Sequence, residues 1–231
     1  MLAKAQRLRL SPLSKKMILP AILLASFAAV AASAQTSLPP NEVDHFKNTS
    51  MLVPPPGDKI ALIEWEDLEC PACAHAFPFV HMAVDHYHIP YVRYDFHIPG
   101  HMWSYQASLY ARYLQDEVSP ELATEYRREV FASQFEIASP DDLTKFTQQF
   151  FARHGKQLPF VLDPHGQLAR EVDADNALGV KLGLMETPTI VVATTKGWIQ
   201  VKDVSDLYQA IDQAEAMVKS SAPNHSASKS K

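Results

Sequence analysis

Apolar and polar positions along this chain switch between two periods, and the switches mark its elements. KIALIEWED (59–67) is an apolar run containing isoleucine and tryptophan, which predicts a buried strand. From Pro71 to His88, Phe77, Val80, Val84 and Tyr87 fall at helical spacing. YVRYDFHI (91–98) returns to a period of two, with Val92, Tyr94 and Phe96 on one side and Arg93 and Asp95 on the other, and predicts a second strand. The middle is helical. The 104–115 stretch brings Leu109, Tyr110 and Tyr113 near one face. Two segments open on Ser-Pro, Ser119-Pro120 and Ser139-Pro140, each a serine N-cap followed by proline at the first helical position, with acids in the first turn to suit the helix dipole. A further helix is expected over about 165–178. TPTIVVAT (187–194) and WIQV (198–201) read as a strand hairpin, and 203–218 as an amphipathic closing helix with Asp203 as its cap and Leu207, Ile211, Ala214 and Val218 on one face. The opening strand–helix–strand predicts a right-handed crossover between parallel strands.

The chain ends follow different rules. Residues 1–16 carry Lys4, Arg7, Arg9, Lys15 and Lys16 and no acid; an apolar run then closes on Ala32-Ser33-Ala34. A basic region, an apolar core and a small-x-small site predict a signal peptide over 1–34, cleaved near Ala34, and place the mature protein in the periplasm or another extracytoplasmic space. Residues 35–57 form a Pro-rich leader expected to run extended, and 220–231 a Ser-rich tail expected to be disordered.

Charge narrows the partners. The chain has 21 basic and 26 acidic residues; the five basic residues of the signal leave 16 against 26, a net charge of −10. That argues against nucleic acid or anionic lipid as a partner. The remaining length is enough for one domain with a substantial core.

The only two cysteines stand one helical turn apart, in Cys70-Pro71-Ala72-Cys73, between the first strand and the first helix. Three chemistries could use them. A structural disulfide closing so short a loop removes little entropy from the unfolded chain. A soft metal such as Cu(I) could take both sulfurs and one of the many histidines, but His75 lies only two residues past Cys73 and points away from the Cys70–Cys73 face. Thiol–disulfide exchange fits best: a helix N-terminus lowers a thiol pKa, which makes Cys70 the exposed nucleophile and Cys73, one turn in, the resolving thiol. Thr187-Pro188 stands just before a strand, where an X-Pro bond can be cis.

IEWEDLECPACAHAF, the helical middle and METPTIVV together resemble the DsbA-like thioredoxin-fold oxidoreductases of the bacterial cell envelope. The resemblance spans about residues 58–219. It implies an α/β, thioredoxin-like fold with an inserted helical subdomain over about 102–178, and a protein thiol:disulfide oxidoreductase. It also implies that Pro188 is a cis-proline packed against the cysteine pair and that the Thr187 backbone pairs with a bound substrate segment. Glu64 becomes the buried acid that assists proton transfer at Cys73. A buried carboxylate has the raised pKa this role needs. Strand alternation sets Glu64 opposite Trp65 without saying which faces inward; Glu66, Asp67 and Glu69 are expected to be solvated.

Ala72 departs from the pattern. The strongly oxidising members carry histidine before the second cysteine, so a less extreme potential is expected here, with the oxidase direction favoured. The expected partners are exported substrate proteins with cysteines and a membrane redox partner, with no metal or organic cofactor and a monomeric state. A dimeric isomerase fits less well, since about 25 residues separate the expected cleavage site from the first strand. A periplasmic copper-binding module on the same fold is the alternative. Met102, Trp103 and Tyr105 form either a substrate groove or core between subdomains, and core is preferred.

Overall fold

The computed structural model describes residues 46–220; the expected signal peptide, the first part of the leader and nearly all of the tail lie outside the described residues. Four strands form one mixed sheet in the order β2-β1-β3-β4. β1 (Ile60–Glu66) runs parallel to β2 (Tyr91–Asp95) and antiparallel to β3 (Thr189–Thr194), which turns back into β4 (Gly197–Val201). The helix between the parallel strands is α1 (Pro71–Tyr87). Four helices follow β2: α2 (Ser104–Glu117), α3 (Pro120–Ala132), α4 (Pro140–Arg153) and α5 (Gln167–Leu182). The chain closes with α6 (Leu207–Lys219).

Period-two alternation sorts the sheet into two faces. Ile60, Leu62, Ile190, Val192, Ile199 and Val201 pack against α1 and α6 through Val80, Ala83, Leu207, Ile211 and Ala214. Ile63, Trp65, Val191 and Ala193 point the other way, onto Phe96 and the end of α5 at Leu182. That second layer is tight at Gly179, where a Cβ would stand 2.4 Å from the Phe96 ring and 3.2 Å from Trp65. A separate apolar core joins α2, α3 and α4 through Leu114, Tyr126, Val130, Leu143, Phe150 and Phe151, and reaches Cys70 and Cys73.

Local chemistry sets several boundaries. The Ser119 side chain accepts from Leu122 N–H at 3.1 Å, and Ser139 from Asp142 N–H at 3.2 Å, so both Ser-Pro starts cap as their sequence implies. Asp203 caps a short 3₁₀ turn at 204–206, and α6 begins only at Leu207. β2 stops at Asp95, three residues earlier than its alternation suggests, because the Ile98 N–H turns away to the Asp67 carboxylate. The described part of the leader is not loose: Leu52 is buried, Phe46 and Met51 pack beside it on the Trp65 face, and Lys47 N–H donates to the Leu182 carbonyl at 2.7 Å. The aromatic stretch after β2 splits, with Trp103 in the helical core while Met102 and Tyr105 stay exposed. No helix among the described residues is long and apolar enough to cross a membrane.

Candidate active site

The α1 N-terminus and the loop before β3 meet at Cys70. Cys70 is the N-cap of α1, Pro71 occupies the first helical position, and Ala74 N–H donates to the Cys70 carbonyl at 3.1 Å to close the first turn. The N–H groups of Ala72 and Cys73 therefore converge on the Cys70 sulfur with no intrahelical acceptor to serve. Both cysteines are free thiols. Contrary to the expectation of an exposed nucleophile, Cys70 keeps only 8% of its surface, because Gln134 binds the carbonyls of Leu68 and Cys70 and the Thr187 loop covers the other side. It is still the more accessible of the pair; Cys73 keeps 1%.

The two thiols titrate apart. Cys70 falls from the ordinary 9.0 to about 5. The largest cause is the hydrogen bond from the Cys73 thiol; the Ala72 and Cys73 backbone N–H groups add to it, against the cost of burial. Thr187 also contributes to the lowering, and the Cys70 thiol donates to its carbonyl at 3.3 Å. Burial first, then the neighbouring Cys70, push Cys73 well above its ordinary value, although Asp67 N–H donates to its sulfur at 3.4 Å.

Thr187–Pro188 is a cis peptide bond, as the resemblance implies, and Thr187 is buried against the cysteines. A cleft of ≈ 370 Å³ runs past this loop, lined by Ala72, His75, Thr187, Pro188, Val201 and Val204 among others.

Beneath α1 the sheet carries charge where its alternation would otherwise place apolar residues. Glu64 pairs with Arg93 across the strands and Glu66 with Asp95, so all four share the α1 face. Glu64 is buried, and its Oε2 accepts from the Tyr91 hydroxyl at 2.6 Å. Burial first, then the charge of Glu66, raise it from 4.5 to about 8; the Tyr91 hydrogen bond, Arg93 and Arg127 oppose that rise. Its charge acts on Cys73 in turn.

The neighbouring acids are not solvated, which corrects the sequence expectation. Glu66 and Asp95 hold the wholly buried Arg127 of α3 at 2.7 and 2.9 Å, and Arg112 of α2 reaches Asp95 at 3.1 Å. Burial alone would raise Asp95, but Arg127, Arg93 and Arg112 hold it at about 2. Asp67 accepts from Glu69 N–H, Ile98 N–H and His101 Nδ1, and Glu69 accepts from the N–H groups of Trp103 and Ser104 at the start of α2. Sequence reasoning missed this set because each acid's partner lies some 30 to 60 residues away; the one local signal was the alternation of Arg93 and Asp95 in β2.

The histidines are engaged elsewhere than at the cysteines. His75 packs on Phe79, His81 on Phe77 and Tyr91, His97 meets Ser108 and His101 meets Asp67. Among the described residues, the one His and carboxylate group spaced for a metal is Glu125, Glu129 and His154, on α3 and at the end of α4.

The fold is shared with solved structures of low sequence identity. A variant of alpha-DsbA1 from Wolbachia pipientis superposes with a TM-score of 0.57 at 19% identity, over 72% of this chain and 92% of that one. A periplasmic thioredoxin-like protein from Salmonella enterica serovar Typhimurium gives 0.54 at 17% identity, over 71% and 88%. The oxidoreductase NmDsbA1 from N. meningitidis gives 0.51 at 15% identity, over 73% and 89%. No curated protein matches the chain. The family model described as Thioredoxin matches residues 51–213, from the Trp65 layer through the cysteine pair and the helical middle into α6, and the chain belongs to the thioredoxin family.

Proposed function

We propose that this protein is a thiol–disulfide oxidoreductase acting on exported proteins, with Cys70 as nucleophile and Cys73 as resolving thiol. The observation that carries the reading is the split between the two thiols, one lowered to about 5 at a helix N-terminus and the other buried and raised. A pair so arranged presents one thiolate to a partner and withholds the other until the mixed disulfide has formed. NmDsbA1, which shares the fold, is described as an oxidoreductase, and the Salmonella protein as periplasmic.

The direction is oxidation. A substrate thiolate attacks Cys70 Sγ of the Cys70–Cys73 disulfide, and Cys73 leaves as a thiolate that takes a proton. A second substrate thiolate attacks the substrate sulfur of the mixed disulfide and expels Cys70 as a thiolate. The substrate has then lost two electrons and the pair has gained them. The stabilised Cys70 thiolate favours this outcome, because it lowers the free energy of the reduced pair. Glu64 is the carboxyl that gives and takes the Cys73 proton; with a pKa near 8 it can do either close to neutrality. The Thr187 backbone and Pro188 seat the substrate as an added strand along the cleft. A membrane redox partner reoxidises the pair, and the protein works as a monomer after cleavage near Ala34.

The test is oxidation of a reduced, unfolded substrate protein by the disulfide form, with the Cys70–Cys73 potential read from equilibrium with glutathione. A potential nearer −120 mV than −270 mV supports the oxidase direction; one near −270 mV reverses it. Full activity in Cys70→Ser would remove the reading altogether. Tight Cu(I) binding by the reduced protein without thiol exchange would favour the copper-binding alternative.

A further inference from the structure

Glu64 sits among several cations, yet none of them binds it. Arg127 is committed to Glu66 and Asp95, Arg112 to Asp95 and Asp175, and Arg93 to Glu66 at 3.5 Å and Gln115 at 2.9 Å. The hydrogen-bond partner of the Glu64 carboxyl among the described residues is a neutral group, the Tyr91 hydroxyl at 2.6 Å on Oε2. The second oxygen, Oε1, is buried with no partner among the described residues. A guanidinium bound directly would pin the group as a carboxylate; a phenol orients it and leaves it free to take a proton.

Tyr91 is suited to act only as a donor. It pairs with Leu62 across the β1–β2 ladder, one step before the Glu64–Arg93 pair, so its ring lies on the α1 face. Burial and the charges of Glu64 and Glu66 push its hydroxyl well above the ordinary 10.0, so it keeps its proton. Its ring is wedged edge-on by His81 of α1, at 5.5 Å and 75°. The ionisable groups facing the pair are Glu66 on β1, Arg93 on β2, Arg127 on α3, and Cys73 and His81 on α1.

We propose that Tyr91 is a positioning residue for proton transfer at Cys73: its hydroxyl holds Oε2 of Glu64 and reserves Oε1 for the proton that Cys73 loses and regains. The proposal rests on the proton-carrying role of Glu64. In the resolving direction the proton of Cys73 passes to Glu64 Oε1 through a bridging water, since the two groups make no direct hydrogen bond, leaving a thiolate and a neutral acid. The thiolate attacks Cys70 Sγ, the new S–S bond forms, and the partner's sulfur departs with the electron pair of the broken one. In the oxidase direction the same proton returns to Cys73 as it leaves.

The test follows the resolving step itself. Reduced protein is mixed with excess oxidised glutathione, quenched in acid at intervals, and the Cys70–glutathione mixed disulfide is followed by mass spectrometry from pH 5 to 10. The decay rate of that species should rise through an inflection set by Glu64. Tyr91→Phe removes the donor and should move the inflection alkaline by about one pH unit with the thermal midpoint little changed. Glu64→Gln should abolish the inflection, and adding Tyr91→Phe to it should change nothing more. 3-Fluorotyrosine at position 91, a stronger donor of the same shape, should move the inflection towards acid, which a packing role cannot do; it also decides the matter should Tyr91→Phe fail to fold. A shift with Glu64→Gln but none with either Tyr91 variant would overturn the role of Tyr91 alone. An unchanged profile in Glu64→Gln would overturn the role of Glu64 and that of Tyr91 with it.

Discussion

The sulfur of Cys70 lies 3.3 Å from the carbonyl oxygen of Thr187, a residue 117 positions further along the chain. The contact joins the α1 N-terminus to the loop ahead of β3, so a partner sulfur bound to Cys70 and a partner backbone lying along Thr187 would belong to one continuous segment. The hydrogen bonds around Cys70, that of the Cys73 thiol first, outweigh its burial, and its pKa of about 5 has a direct electrochemical consequence. A depressed pKa stabilises the reduced fold fully above the unfolded thiol's 9.0, and that gain is lost as pH falls through 5. The disulfide form has no such thiol to ionise. Reduction therefore takes up two protons below pH 5 and one above it. The potential should fall by about 59 mV per pH unit below pH 5 and about 30 mV above it. Glutathione equilibria from pH 4 to 8 measure the break, and a uniform slope of about 59 mV would refute the lowered Cys70 pKa.

Glu64 works in the opposite sense. Its pKa is raised to about 8 by burial, so the folded protein holds a proton there that the unfolded chain releases near 4.5. Stability is lost as pH rises from 4.5, and the loss is complete above 8. Glu64→Gln keeps an acceptor for the Tyr91 hydroxyl and cannot ionise. It should raise the unfolding free energy by about 2–4 kcal/mol at pH 9 and by about 1 kcal/mol or less at pH 5. Urea unfolding of the oxidised forms at the two pH values measures the difference; an equal gain at both would mean that the folded carboxyl ionises as freely as the unfolded one and that its pKa is not raised.

The elements were legible wherever the pattern is local. The seven-residue run of β1, the Ser-Pro caps of α3 and α4 and the turn from β3 into β4 all follow from neighbouring residues. The placement of the cysteine pair at a helix start was legible too, since Cys70, Pro71 and the first turn form one short stretch. Glu66, Asp67 and Glu69 were not. Strand-end acids are usually solvated, and what buries these is the arrival of Arg127, Ile98, His101 and Trp103 from distant segments. Tyr91 was hidden for the same reason: it reads as an ordinary strand aromatic until the parallel register brings its hydroxyl to Glu64. Asp203 was misplaced by a few residues because a 3₁₀ turn offers the same first N–H groups to a cap as an α-helix does.

Arg127 ties the helical middle to the sheet, and its removal should be costly. The wholly buried guanidinium binds Glu66 and Asp95 at 2.7 and 2.9 Å, and without it two carboxylates on one face lose their principal counter-charge. Arg127→Met should destabilise by about 3–5 kcal/mol, because breaking a buried pair strands the remaining charges. Adding Glu66→Gln and Asp95→Asn should return most of that loss, which thermal unfolding can follow. A small effect of Arg127→Met alone would mean that Arg93 and Arg112 suffice to hold the two acids.

Ala72 offers the cleanest control over the direction of exchange. It is exposed at the mouth of the Thr187 cleft, two residues past Cys70, and contributes only its backbone N–H to the thiolate. His75 shares that cleft but packs its ring on Phe79. A histidine at position 72 would add a positive charge beside Cys70 below its pKa of about 6.5. Ala72→His should lower the Cys70 pKa further and make the pair more oxidising, by about 30 mV for each tenfold gain in the reduced form. The gain should fade as pH rises past 7 and the imidazole loses its proton. Glutathione equilibria at pH 6 and pH 8 measure it. A potential unchanged at both would show that the α1 backbone already saturates the Cys70 thiolate.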